Sequence, residues 1–197
     1  MFSHYLKKQI QIEALSLLSI KKDESVLDIG CGQGDALISL AKEVSGSGRA
    51  YGLDSSHIML KKSKKRLQSK GLLHQVILEK GNLLFPPFLS ESFDSIFMGF
   101  TLDLLDESKV PEALKKCKEL LKVEGEIVVV RLSKRKSILP KRLLYQRRHR
   151  HFPNFFENTP LNLGEHLSRA GFSIVHSEFR LMMGLPVEIA HGKRNIE

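Results

Sequence analysis

The sequence predicts an α/β protein built on a mostly parallel sheet covered on both faces and closed by an antiparallel hairpin. Three observations support this. Apolar strand-like runs alternate with helix-like stretches from Ser25 to Arg131, the first run ends in a glycine turn, and two strand-like runs joined by a few residues follow Gly171.

The elements follow in order. From Phe2 to Leu18, Ile10, Ala14, Leu17 and Leu18 recur near helical spacing and predict an amphipathic helix, with a polar break at Lys21 to Glu24. Ser25-Val-Leu-Asp-Ile-Gly30 is a short apolar run ending in glycine, the pattern of a buried parallel strand, and Ala36 to Val44 reads as its helix. The cycle repeats with strand Arg49 to Asp54, helix Ile58 to Ser69 and strand Gln75 to Glu79. It continues with strand Phe93 to Met98, helix Pro111 to Leu121 and, after a Glu124-Gly125 turn, strand Glu126 to Arg131. Helix Leu161 to Ala170 then precedes strands Phe172 to Phe179 and Met182 to Ala190, whose short link requires a hairpin. Pro186 cannot donate to a ladder, so the last strand is expected at an edge or at a bulge.

With 197 residues, 42% of them hydrophobic, the chain is expected to form one domain. Its segments are an N-terminal helix (1–20), a ligand-binding core (21–131), a basic insert or lid (132–160) and a final helix with hairpin (161–192). Cys31 and Cys117 suggest neither a disulfide framework nor a metal site. The charged start MFSHYLKKQIQIEALSLL does not read as a secretory signal, and no apolar run approaches the roughly 20 residues of a membrane span. A cytoplasmic protein, at most peripheral to a membrane, is expected.

Asp28-Ile-Gly30-Cys31-Gly32-Gln-Gly34 places three glycines where the main chain can turn sharply and approach a ligand. In a dinucleotide site the third glycine comes one residue later, and the carboxylate of Asp28 would repel a pyrophosphate. A ligand bearing an ammonium and a sulfonium would be attracted instead, which favours S-adenosylmethionine (SAM) over NAD. Asp54, ending the second strand, stands where an acid accepts both ribose hydroxyls. Taken singly, the first motif could be only a tight turn and Asp54 only a helix N-cap.

These motifs resemble those of the class I SAM-dependent methyltransferases: an acid followed by alternating glycines, then an acid ending strand two. Gly81-Asn82-Leu83 is similar to the stretch that contacts adenine in that family, with Asn82 in place of the commoner Asp. Ser92-Phe-Asp94-Ser-Ile-Phe-Met98 and Leu120-Leu-Lys-Val-Glu-Gly125 resemble its fourth strand and its turn into the fifth. Within the family, Gly99-Phe-Thr-Leu-Asp-Leu104, His149-Arg-His-Phe-Pro153 and Gly184-Leu-Pro-Val-Glu188 are most similar to the ubiquinone/menaquinone-biosynthesis C-methyltransferase group.

The resemblance implies a three-layer Rossmann-like fold with a seven-stranded sheet, SAM as cofactor and S-adenosylhomocysteine as product. It implies a cofactor-binding set of Asp28, Gly30, Cys31, Gly32, Gly34, Asp54, Ser55, Met59, Gly81, Asn82, Leu83, Gly99 and Phe100.

Methyl transfer from a sulfonium is an in-line displacement that depends mainly on positioning, and a base is optional. Asp103 and His149 are the candidates; Asp103 could equally be a loop acid or helix cap, and His149 a surface residue. Met98-Gly-Phe-Thr101 stands where an Asn-Pro-Pro-aromatic motif would mark amino-group methylation, so carbon or oxygen acceptors are favoured.

Net charge is +9, and residues 131–150 hold nine Lys or Arg, Arg131 among them, with no Asp or Glu, interleaved with leucines and Tyr145. The favoured reading is a lid over a small or lipophilic, quinone-like acceptor, with its cations toward anionic headgroups. The alternatives are an RNA-gripping surface, giving an RNA methyltransferase, or a solvated helix. A non-catalytic SAM-binding protein is a third functional reading.

Overall fold

A computed structural model describes residues 2–133 and 163–195. Five helices and seven strands organise them: α1 (Phe2–Leu15), β1 (Ser25–Ile29), α2 (Asp35–Glu43), β2 (Arg49–Asp54), α3 (His57–Ser69), β3 (Val76–Lys80), β4 (Phe93–Gly99), α4 (Val110–Leu120), β5 (Leu121–Leu132), α5 (Leu163–Arg169), β6 (Phe172–Met182) and β7 (Leu185–Arg194).

The strands form one sheet in the order β3-β2-β1-β4-β5-β7-β6. β3, β2, β1, β4 and β5 are parallel, and β7 runs antiparallel to both β5 and β6. β1 lies inside the sheet, and Val26, Leu27 and Ile29 are buried as an interior parallel strand requires, with Asp28 buried among them.

Alternate residues of β1 feed the two cores. Val26 packs with Ala14 of α1 and Leu37 and Leu40 of α2, along with Leu60 and Leu67 of α3; Leu27 and Ile29 pack on the other face with Leu114 of α4 and Leu167 of α5. This is the three-layer arrangement expected of a seven-stranded, mostly parallel sheet. Ile10, Ala14 and Leu18 are buried at four-residue spacing, which explains the docking of the first helix. Cys31 and Cys117 are buried in opposite cores. Among the described residues, no helix is long and apolar enough to cross a membrane.

Three expectations need correction. β7, which contains Pro186, is not an edge strand: it lies between β5 and β6, and the bulge in its pairing with β6 falls at Ile174/His176. Proline is tolerated because it is the second residue of β7, beyond the last β5 rung at Leu132↔Val187, and its carbonyl accepts from Ser133 N at 2.7 Å. The hairpin turns at Met183-Gly184, with φ of 53° and 73°, and not near Arg180, so both strands are longer than the sequence suggests. Glu124-Gly125 is not a break before β5 but an irregularity within it, where pairing with β4 shifts between Phe93 and Ser95.

Candidate functional site

The C-terminal ends of β1, β2 and β3 bring the glycine loop and the two aspartates together. Gly30 N and Cys31 N both donate to Leu53 O, at 2.7 and 3.1 Å, folding the loop back over β2. Gly32 N donates to Asp54 Oδ2 at 2.8 Å, and Ser56 N donates to Asp54 Oδ1 at 2.8 Å. Asp54 thus ties the loop to the start of α3, where the Ser56 hydroxyl accepts from Met59 N at 3.4 Å. Each carboxylate oxygen retains a lone pair for a ligand hydroxyl.

The glycines have separable roles. Gly34, at φ 78°, would place a Cβ 2.4 Å from Ser63 Oγ, so its bareness lets the α2 N-terminus close on α3. Arg66 fastens that junction by donating to Gln33 O at 2.8 Å and pairing with Asp35 at 2.7 Å. Gly32, at φ 53°, has nothing closer to a built Cβ than Gly30 O at 3.9 Å, so open space lies over the middle of the loop.

Asp28 is 2% exposed and its Oδ2 has no hydrogen-bond partner. Burial, reinforced by the negative charges of Asp54 and Asp35, pushes its carboxyl up to about 8. A buried carboxyl with one oxygen left without a partner, beside a second acid and a bare loop, fits a nucleoside carrying positive charge and disfavours one carrying phosphates. Burial also raises the Cys31 thiol well above its ordinary range, which makes it a packing group and not a nucleophile.

Gly81 N donates to Asp54 O at 3.2 Å, which sets Gly81-Asn82-Leu83 beside the aspartate. Asn82 is exposed and its side-chain oxygen accepts from Leu84 N at 2.9 Å, while Leu83 is buried beneath it. Ser55 is exposed and Met59 half-buried at the entry to α3.

The end of β4 is occupied differently. A Cβ on Gly99 would fall 2.2 Å from Gln11 Nε2, which donates to Gly99 O at 3.3 Å. Phe100, at φ 62°, donates its N–H to Val130 O at 2.7 Å and lies buried beneath the Lys7 ammonium, 4.8 Å from the ring centroid. Helix α1 therefore covers this turn. Thr101, missed in the sequence, donates to Ile29 O at 2.7 Å and fills the space a Cβ on Gly30 would need, linking β4 to the glycine loop.

The Asp103 carboxyl is 2% exposed and accepts from Leu132 N at 3.2 and 3.1 Å, with Arg131 Nε at 3.6 Å. Arg131 is not one of the surface cations of the basic segment. Its side chain is 2% exposed, its Nη2 lies 3.5 Å from Glu107, and its Nε and Nη1 make no hydrogen bond. The sequence signal was an arginine ending the buried run from Ile127. Burial lowers the Lys7 ammonium, with Asp103 opposing that shift. Lys7, Asp103, Arg131 and Glu107 thus form a charged cluster beside the end of β4. His149, Tyr145 and the basic segment beyond Ser133 lie outside the described residues.

A model of the methyltransferase domain family matches residues 26–125, the stretch that holds this loop and both aspartates. A demethylmenaquinone methyltransferase from Lactobacillus johnsonii is 31% identical over 152 residues, 76% of this chain and 60% of that protein. The chain thus spans less than two thirds of that curated relative's length. The structure of a geranyl diphosphate C-methyltransferase from Streptomyces coelicolor superposes with a TM-score of 0.75 at 14% identity, covering 98% of this chain and 82% of the other. That of the [4+2]-cyclase SpnF gives 0.74 at 15% identity, covering 96% and 82%. At these identities the two structures bear on the fold alone.

Proposed function

We propose, from the premise that this chain belongs to the methyltransferase domain family, that it transfers a methyl group from SAM to a carbon or oxygen atom of a small, lipophilic, quinone-like acceptor. The observation that carries the reading is the pairing of Asp28 and Asp54 across the glycine loop, joined by the Gly32–Asp54 hydrogen bond. The similarity to a demethylmenaquinone methyltransferase and the lack of an Asn-Pro-Pro-aromatic motif after β4 support the choice of acceptor.

When bound, SAM supplies an electrophilic methyl on a sulfonium. The residues of this chain do the rest by holding and excluding. Asp28 offers a buried carboxyl that gives up its proton as the cation binds and then acts as a negative charge at low effective dielectric. Asp54 offers acceptor oxygens to ribose hydroxyls while holding Gly32, and Leu83 offers a main-chain N–H toward adenine. Asn82 retains a lone pair on its amide oxygen for the adenine amino group. Ser55 and Met59 border the same opening, and Gly30, Cys31 and Gly34 shape the loop. Gly99 and Phe100 border the same end of the sheet and also seat α1 through Gln11 and Lys7.

Asp103 we read as a positioning residue, because its oxygens already serve Leu132 N and face Arg131. The acceptor's proton leaves to water or to a base outside the described residues, where His149 remains the candidate.

The test is turnover with methyl-labelled SAM and a demethylated naphthoquinol in detergent. Label should appear in the quinol, with S-adenosylhomocysteine released in equal amount. SAM binding with no S-adenosylhomocysteine formed from quinol, RNA or lipid extract would identify a binding protein instead. Label transferred to RNA, lost steeply as salt rises, would favour the RNA reading.

A further inference from the structure

Helix α3 carries no Asp or Glu, and its Lys61, Lys62, Lys64 and Lys65 are all exposed. Its one arginine, Arg66, is consumed by the glycine loop. None of these four lysines has an ion-pair partner among the described residues, whereas Lys109, Lys116, Lys122 and Lys193 elsewhere each face a carboxylate within 3.1 Å. Among the described residues, α3 therefore carries four exposed cations side by side with no carboxylate paired to them.

The helix also borders a groove. Between α3 and β3, the edge strand of the sheet, lies a cavity of about 400 Å³ open to the outside. Its floor is aliphatic: Leu60, Leu73, Val76 and Leu78. Its rim is basic: His57, Lys61, Lys64 and Lys80. Strand alternation gives the groove Val76, Leu78 and Lys80 and sends Ile77 and Glu79 to the other face, so no acid lines it. At the α3 N-terminus, Ile58 is 66% exposed, and Phe85, just beyond β3, is 78% exposed.

We propose that this α3–β3 border docks on an anionic phospholipid surface, with an acyl chain against the aliphatic floor and headgroup phosphates among Lys61, Lys64 and Lys80. Cations bordering an aliphatic groove match an anionic amphiphile in charge and in mixed polarity, with a tail splayed out of the bilayer reaching the floor. A nucleic acid would use the cations but leave the four aliphatic side chains without a stacking partner, since sequence-tolerant strand binding relies on aromatic platforms. Helix α3 starts beside Asp54, whose Oδ1 accepts from Ser56 N, so docking would bring the SAM loop close to the bilayer. The inference deepens the lipophilic-acceptor reading by giving the enzyme a way to meet a substrate held in a membrane.

The experiment is cosedimentation of the full chain with phosphatidylglycerol/phosphatidylcholine vesicles and with phosphatidylcholine vesicles alone. Binding is expected only to the anionic vesicles. K61Q/K64Q/K80Q should weaken it about a hundredfold, at roughly tenfold or less per lysine, while leaving the melting temperature and SAM affinity unchanged. Leu73→Gln should reduce the part of binding that survives high salt. Equal binding of the triple variant, equal binding to neutral vesicles, or tighter binding to homopolymeric RNA lost in the same variant would each overturn the proposal. SAM affinity measured on the same preparations keeps a failed docking surface distinct from a failed methyltransferase reading.

Discussion

Replacing Asp28 with Asn removes a buried carboxyl whose titration lies at about 8, and the consequences for SAM binding can be worked out. A positively charged ligand stabilises the ionised form, so binding releases a proton from Asp28 wherever the free protein holds one. With the free value at about 8, roughly one molecule in a hundred is ionised at pH 6, one in ten at pH 7 and half at pH 8. Affinity should therefore rise close to tenfold from pH 6 to 7, about 1.4 kcal/mol, some fivefold more by pH 8, and then level off. Asp28→Asn should abolish that rise, leaving only the titration of the ligand's own amine. Stability moves the other way. A carboxyl raised on folding stabilises the native state below its unfolded value and loses that contribution as pH climbs to about 8. The free wild-type protein should thus lose stability relative to Asp28→Asn from about pH 4 to 8, at no more than about 1.4 kcal/mol per pH unit. Calorimetric titration in buffers of different ionisation enthalpy, with thermal melts over the same range, measures both effects. Parallel affinity profiles for the two proteins would refute the assignment of Asp28 to the cation.

Asp54→Ala leaves Gly32 N and Ser56 N without their acceptor, and SAM affinity should fall at least tenfold, about 1.4 kcal/mol, by calorimetry. Gly34→Ala forces a side chain into the left-handed region and against Ser63 Oγ, and should lower stability by about 1–3 kcal/mol in denaturant melts. Ser63→Ala in the same chain should recover only the steric part. Arg131→Leu leaves the buried Asp103 carboxyl facing no guanidinium and should cost about 3–5 kcal/mol in stability. Adding Asp103→Leu should return part of that loss, whereas additive losses would show that the two residues act independently.

The parallel half of the fold was legible because each strand there is bounded by chemistry that local sequence displays. The Val26 to Ile29 run is followed by glycine, and Asp54 ends β2 where Ser56 caps α3. The aspartate pair was legible for the same reason, since consecutive parallel strands deliver their ends to one side of the sheet. The hairpin was harder. Its turn uses Met183 at positive φ, a residue with no turn signature, so the boundary was placed three residues early, and Pro186 misdirected the strand order because backbone pairing beyond Leu132 cannot be read from composition. In sequence Arg131 reads as one cation of the basic segment and Asp103 as a candidate base or a loop acid, and their burial side by side shows only once β4 and β5 bring them together. Gln11 and Lys7 could not be found at all, because they reach the site by packing of α1 across more than 80 residues of chain.

The strand order has a practical corollary for redesign. Asp28, Gly32, Asp54 and Gly81-Asn82-Leu83 sit on the β1, β2 and β3 side of the sheet and its crossovers, while β5, β7 and β6 extend from β4 in the opposite direction. Chimeras that import the far half from another family member therefore leave the Asp28–Gly32–Asp54 grip untouched, provided Thr101 is kept beneath Gly30. Specificity can drift on one wing of the molecule while the donor-handling wing stays fixed, which makes the seam between β1 and β4 the natural cut for recombination.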